Sequence, residues 1–147
     1  TLQPHEFADT LRLQVGDWLE AHANIPIIMA GMVGARQGWV EADYLHCPVQ
    51  LDQLSKLLTK VDFDEQHEAY IVPGLAVMQD GDPDVMRGEE TQLFGALAED
   101  SKNDIFCMPG THSKWVVVEN NAVQTFRTYP KCELRDLYHL QRFLFPY

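Results

Sequence analysis

The densest chemistry in this 147-residue chain is Met86-Arg87-Gly88-Glu89-Glu90-Thr91-Gln92-Leu93-Phe94-Gly95. One cation and two adjacent carboxylates stand where a helix is predicted to begin, after an acidic loop and before an apolar face. Such a place suits holding a polyhydroxylated substrate and taking a proton from it. General-base work on a hydroxyl needs a carboxylate fixed on a rigid element. Consecutive helical residues point about 100° apart, so only one of Glu89 and Glu90 faces a given substrate atom. Arg87 offers a planar fork for a carboxylate or phosphate, or a partner for Glu90. A plainer alternative stands beside this one: carboxylates in a first turn complement the helix dipole by about 0.3–1 kcal/mol without any catalytic role.

Two other segments carry chemistry. In Ala30 to Trp39, Gly31, Gly34 and Gly38 permit close backbone approach, and Arg36 and Gln37 supply donors for hydroxyls and a carboxylate. The alternative is a glycine-rich turn beside a core Trp39. In Pro109 to Trp115, a Gly110-Thr111 turn between two predicted strands exposes N–H groups that can cradle phosphate, with hydroxyls from Thr111 and Ser113 and a point charge from Lys114. The full Walker A pattern and its following helix are missing. The alternative is an ordinary hairpin with Lys114 in solvent. Asp80 to Asp84 resembles half a calcium loop, but Val85 stands where such a loop needs Gly and Thr91 where it needs Glu. A solvated acidic loop is expected, with weak Mg²⁺ binding as the alternative. His46, Cys47 and His112 lack zinc spacing, so no metal site is predicted. Cys107 is expected to be a buried strand residue.

The elements that must position these groups follow from periodicity. Phe7, Leu11, Val15, Trp18 and Leu19 predict a helix from about Pro4 to His22. Ile25 to Ala30 reads as a buried strand ending at a glycine turn, a usual place for ligand loops in α/β folds. Leu51, Leu54, Leu57 and Leu58 mark a second helix, and Glu89 to Glu99 a third with Leu93, Phe94 and Leu97 on one face. Lys60 to Glu68 and Gln79 to Asp84 read as loops, with Tyr70 to Val72 a strand between them. Ile105–Met108, Trp115–Glu119 and Ala122–Tyr129 read as strands, the last two joined by an Asn120-Asn121 turn. Leu134, Leu137 and Tyr138 suggest a terminal helix. A lobe boundary is expected near residue 100.

Composition sets the outer limits. A hydrophobic content of 46% excludes wholesale disorder. A net charge of −11 argues against nucleic acid and anionic membrane as partners. No apolar run approaches the roughly 20 residues of a membrane span, and no signal peptide is visible. Three widely spaced cysteines suit reduced thiols, so a cytoplasmic location is predicted.

Taken together, AGMVGARQGW (30–39), VPGL (72–75), DPDVMRGEETQLFGAL (82–97) and MPGTHSKWV (108–116) resemble, in order, signatures of the 2-dehydro-3-deoxygalactonokinases, also called 2-oxo-3-deoxygalactonate kinases. The resemblance runs from about Ile25 to Tyr129. It implies an α/β fold that is part of an actin-like (ribonuclease H-like) two-lobed kinase, with mixed sheets flanked by helices. Residues 1–100 would be a partial first lobe and 101–147 the start of the second. The implied substrates are ATP with Mg²⁺ and a sugar acid, the γ-phosphoryl group passing to the 6-hydroxyl of 2-dehydro-3-deoxy-D-galactonate. By similarity to related carbohydrate kinases, Glu89 is the general base with Glu90 the fallback. Gly110, Thr111, His112, Ser113 and Lys114 form the second phosphate loop, and Arg36, Gln37, Trp39 and Arg87 serve the sugar acid.

The chain also departs from that pattern. Members of the family begin with a strand bearing an Asp-x-Gly-Ser/Thr phosphate loop and carry an adenosine-binding half, neither of which this sequence contains. After Tyr129, Pro130-Lys131-Cys132 stands where a Met-Thr-Gly type segment is expected. A middle fragment with an altered end is therefore expected, catalysing little or nothing alone and forming homo-oligomers through a bare sheet edge. The alternatives are a kinase for a related aldonate or ketoacid, a non-catalytic sugar-acid-binding fragment, and a degraded gene product.

Overall fold

The computed structural model describes residues 3–22, 24–79, 81–97 and 103–130. The first helix, α1 (Pro4–Ala21), opens on a proline whose missing N–H is no loss in a first turn, and Glu6 reaches back to accept the Gln3 N–H. Its buried stripe runs through Ala8, Leu11, Val15 and Leu19. Trp18, expected on that stripe, is 69% exposed: the stripe tilts toward Leu19 and leaves position 18 on its flank.

Three sheets follow. β1 (Ile27–Met29) pairs in parallel with β5 (Ala69–Ile71), which pairs antiparallel with β4 (Thr59–Val61). A short 3-10 turn (Met32–Gly34) follows β1. The second sheet has the order β2 (Tyr44–His46), β6 (Gly74–Gln79), β7 (Asp82–Met86). The third is β3 (Val49–Gln50), β10 (Ala122–Pro130), β9 (His112–Glu119), β8 (Asn103–Met108), antiparallel throughout. The helices α2 (Leu51–Lys56) and α3 (Glu89–Leu97) complete a mixed α/β architecture.

Several sequence expectations need correction. Lys60 to Glu68 is not all loop, because β4 enters it and Val61, Phe63 and His67 are buried. The polar majority of that stretch hides an alternating apolar pair. The expected loop at Gln79 to Asp84 is cut back by strand pairing, which extends to Gln79 opposite Asp82, with Gly81 at a φ of 87°. Phe94 is 42% exposed, while Leu93 and Leu97 are buried. Cys107 is exposed because it lies on the outer face of β8, an edge strand among the described residues. The Asn120-Asn121 turn is as expected, with both residues at positive φ. The predicted terminal helix lies outside the described residues.

Two cores result. One packs α1 onto the first sheet through Leu19, Val61, Phe63 and Ile71. The larger joins Leu54, Leu75, Met86, Leu93, Val116 and Phe126, and so binds the second sheet to the third through α2 and α3. Burying each such large side chain contributes about 1.5–3 kcal/mol. Two polar links reinforce the join. Asp84 on β7 accepts the Thr128 N–H at 2.6 Å and the Thr128 hydroxyl at 2.7 Å. β3 adds itself to β10 through Val49 opposite Val123.

Candidate active site

β7 delivers Met86 into the core, and the chain then turns sharply at Gly88, whose φ of 109° is one that side chains rarely adopt. α3 starts at the next residue. Both first-turn carboxylates curl back on this turn. Glu90 accepts the Gly88 N–H at 2.6 Å and Glu89 accepts the Arg87 N–H at 3.2 Å. The Thr91 hydroxyl donates to the Gly88 carbonyl at 2.6 Å.

Gly31, at a φ of 85°, lies directly behind: a Cβ on Gly88 would sit 3.3 Å from the Gly31 Cα. Two glycines therefore let the turn bearing Arg36 and Gln37 press against the turn bearing Arg87 and Glu89. Gly34 makes a second close approach. A Cβ there would lie 2.6 Å from Ile71 Cγ2 and 2.9 Å from Arg87 Nη1.

The guanidinium of Arg87 is thus seated on Gly34. Its Nη2 donates to the Ala42 carbonyl at 2.6 Å and its Nε to the Tyr44 hydroxyl at 3.3 Å, and it lies 4.2 Å above the Tyr44 ring. Tyr44 itself lies flat on Gly74, where a Cβ would come within 2.6 Å of the ring.

These groups line a cleft of about 390 Å³. Arg36, Gln37 and Glu41 line it from the segment after the 3-10 turn, Tyr44, Arg87 and Glu89 from β2 and the turn into α3, and His112 and Lys114 from β9. Lys114 reaches it because β9 alternates, placing Lys114, Val116 and Val118 on the inner face. Its Nζ stands 3.8 Å from Glu89 Oε1, although Lys114 is buried.

The structure therefore gathers six of the predicted site residues, Arg36, Gln37, Arg87, Glu89, His112 and Lys114, from three separated segments. It places others elsewhere. Glu90 is fully buried beside the cleft and does not line it. Burial pushes its carboxyl up to about 7; the backbone N–H groups of Glu90 itself and of Gly88 oppose this, the charge of Glu89 adds to it, and the charge of Arg87 opposes it. Trp39 stacks on Phe7 and meets Phe63 edge-on, each at 6.1 Å, in the core under α1. Gly110 and Thr111 lie exposed at the hairpin tip, and Ser113 points to the face of β9 opposite Lys114. Sequence reasoning missed Tyr44, because β2 is three residues long and carries no periodic signal, and Glu41, which lies in the irregular segment before it.

Among the described residues no three His, Cys, Asp or Glu side chains are grouped to hold a metal ion. No described helix is long and apolar enough to cross a membrane. Burial raises the Cys47 thiol to about 11, which makes it a poor nucleophile.

A sequence model of the 2-keto-3-deoxy-galactonokinase family matches residues 1–144. The chain belongs to this family. It is 42% identical over 121 residues to the 2-dehydro-3-deoxygalactonokinase of Escherichia coli (strain K12), covering 82% of this chain and 39% of that protein. It is 46% identical over 119 residues to a protein of Rhizobium meliloti (strain 1021) assigned as 2-dehydro-3-deoxygalactonokinase DgoK1, covering 80% of this chain and again 39% of the relative. A crystal structure from Sinorhizobium meliloti, assigned to the same activity, superposes with a TM-score of 0.73 at 43% identity, over 89% of this chain and 44% of that one. The chain spans about two fifths of the length of the curated relatives it matches.

Proposed function

We propose that this chain carries the sugar-acid side of a 2-dehydro-3-deoxygalactonokinase, which transfers the γ-phosphoryl group of Mg·ATP to the 6-hydroxyl of 2-dehydro-3-deoxy-D-galactonate. The supporting observation is the cleft that brings Arg36, Gln37, Arg87, Glu89, His112 and Lys114 together. On this reading Arg36 and Gln37, both exposed, meet the sugar-acid carboxylate and hydroxyls. Arg87, already bonded to Ala42 and Tyr44, fixes the cleft wall as a cation.

Glu89 is the base. It takes the 6-hydroxyl proton as O6 attacks the γ-phosphorus and ADP leaves. Phosphoryl transfer requires mostly positioning and charge neutralisation. Lys114, 3.8 Å from Glu89, supplies a cation where the incoming phosphoryl group must arrive. On the same reading the turn at Gly110 and Thr111, with His112, is the second phosphate loop, and Ser113 stands on the other face of β9. Residues 1–100 belong to the first lobe and 101–147 to the second lobe of an actin-like fold, acting in the cytoplasm. The chain self-associates through β1, which pairs only with β5 among the described residues and leaves Ile28 62% exposed.

Calorimetric titration of the chain with 2-dehydro-3-deoxy-D-galactonate, with and without Mg·ATP, tests this reading when combined with an assay for the 6-phosphate. Binding without turnover is expected. Turnover would show that the chain alone holds a complete phosphate site. Absence of sugar-acid binding overturns the proposal.

A further inference from the structure

Glu90 is the buried carboxyl group among the described residues, with no accessible surface. One of its oxygens accepts the Gly88 N–H at 2.6 Å; the other is buried and has no hydrogen-bond partner. We infer that Glu90 is a positioning residue that clamps the Gly88 peptide, and thereby sets Glu89 and Arg87 in the cleft, while taking no part in proton transfer from the substrate. The inference rests on the reading of Glu89 as base.

The geometry carries it in three ways. Glu90 has no surface in the cleft, so substrate cannot reach it without unfolding the turn. Gly88 holds a φ of 109° with Gly31 at its back, and the Glu90 carboxyl is the side-chain group that fixes its N–H. An unpartnered buried oxygen is costly on a carboxylate and far less so on a neutral acid. The charged groups acting on it are Glu89 on its own helix and Arg87 on the preceding turn. Lys114 on β9 pairs with Glu89 instead, and residues 31–34 bring no titratable group. Burial accordingly pushes Glu90 up to about 7 from an ordinary 4.5.

The folded chain thus holds this proton more tightly than the unfolded chain does. The stabilisation is fully present below about pH 4.5 and is lost as pH rises through about 7, a change of up to about 300-fold in the folding equilibrium.

The test compares E90Q, E90A and E89Q in the full chain. A Gln at 90 still presents an oxygen to the Gly88 N–H but cannot ionise. E90Q is expected to keep sugar-acid affinity within about twofold of wild type and to lose the pH-dependent fall in melting temperature. E90A is expected to lose about tenfold or more in affinity and to expose the Gly88 amide to faster hydrogen exchange. E89Q is expected to leave Gly88 exchange unchanged.

If E90Q loses as much sugar-acid affinity as E90A does, or keeps the wild-type pH dependence of melting, the assignment is overturned. A wild-type chain that binds no sugar acid sinks the functional reading instead. The exchange and melting comparisons need no ligand, and they decide the clamp either way.

Discussion

Replacing Gly34 by Ala tests the seat of Arg87 most directly. Gly34 is not among the positive-φ glycines, so Ala adopts its backbone without strain. In open space such a change stabilises a protein by about 0.4–1 kcal/mol through the unfolded chain. Here the new methyl would meet Ile71 Cγ2 at 2.6 Å, Arg87 Nη1 at 2.9 Å and Ala42 Cβ at 3.2 Å. Ile71 is fully buried in the core under α1 and has little room to yield. Overpacking of this kind costs about 1–3 kcal/mol, so a net loss of about 1–2 kcal/mol is expected after the unfolded-state gain is subtracted. Urea unfolding measures it. The guanidinium would also be pushed off Gly34, straining its 2.6 Å bond to the Ala42 carbonyl, so sugar-acid affinity should fall with stability. Combining G34A with R87A removes one of the three contacts, and the pair should cost less than the sum of the single changes. A G34A chain as stable as wild type, or more stable, would refute the close-packing argument, because the expected sign would be reversed.

Asp84→Ala leaves the Thr128 N–H and hydroxyl without their carboxylate, and a loss of about 1–3 kcal/mol is expected by urea unfolding. Asp84→Asn should retain part of it. Tyr44→Phe keeps the ring beneath Arg87 and should change stability little, whereas Tyr44→Ala loses the cation–π contact, worth about 0.5–1 kcal/mol; both are read by thermal melting and sugar-acid titration. Lys114→Met leaves Glu89 without its cation, so a loss of stability is expected by urea unfolding, and adding Glu89→Gln should recover part of it. A Lys114→Met chain as stable as wild type would show that the pair contributes nothing to the fold.

Long periodic runs were readable in the sequence. α1, the Glu89 helix and the 112–130 hairpin follow from repeats of apolar residues and an Asn-Asn turn. Short strands were not: β2, β3 and β4 hold two or three residues each, and β2 and β3 pair with strands distant in the chain. The glycines at 31, 34 and 88 were visible as permissive positions, but what presses against each is tertiary information. The same limit applies to the two adjacent glutamates. Helical geometry says that they diverge, yet only the fold shows Glu89 in the cleft and Glu90 beneath it. Tyr44 escaped notice because a lone tyrosine in a three-residue strand resembles any other.

A ribosome makes β3 long before it makes the strand that completes it. Val49 finds its neighbour only when residue 123 has been synthesised, and closing a loop of that length costs roughly 4 kcal/mol in chain entropy. Until then Leu54 and Leu75 also lack Val116 and Phe126, with which they share a core. The sheet under α1 needs nothing beyond Ile71 and can close early. Synthesis therefore passes through a half-folded chain with one finished core and one open edge. That interval, rather than the finished molecule, is when a chaperone has most to hold and an aggregating neighbour has most to find.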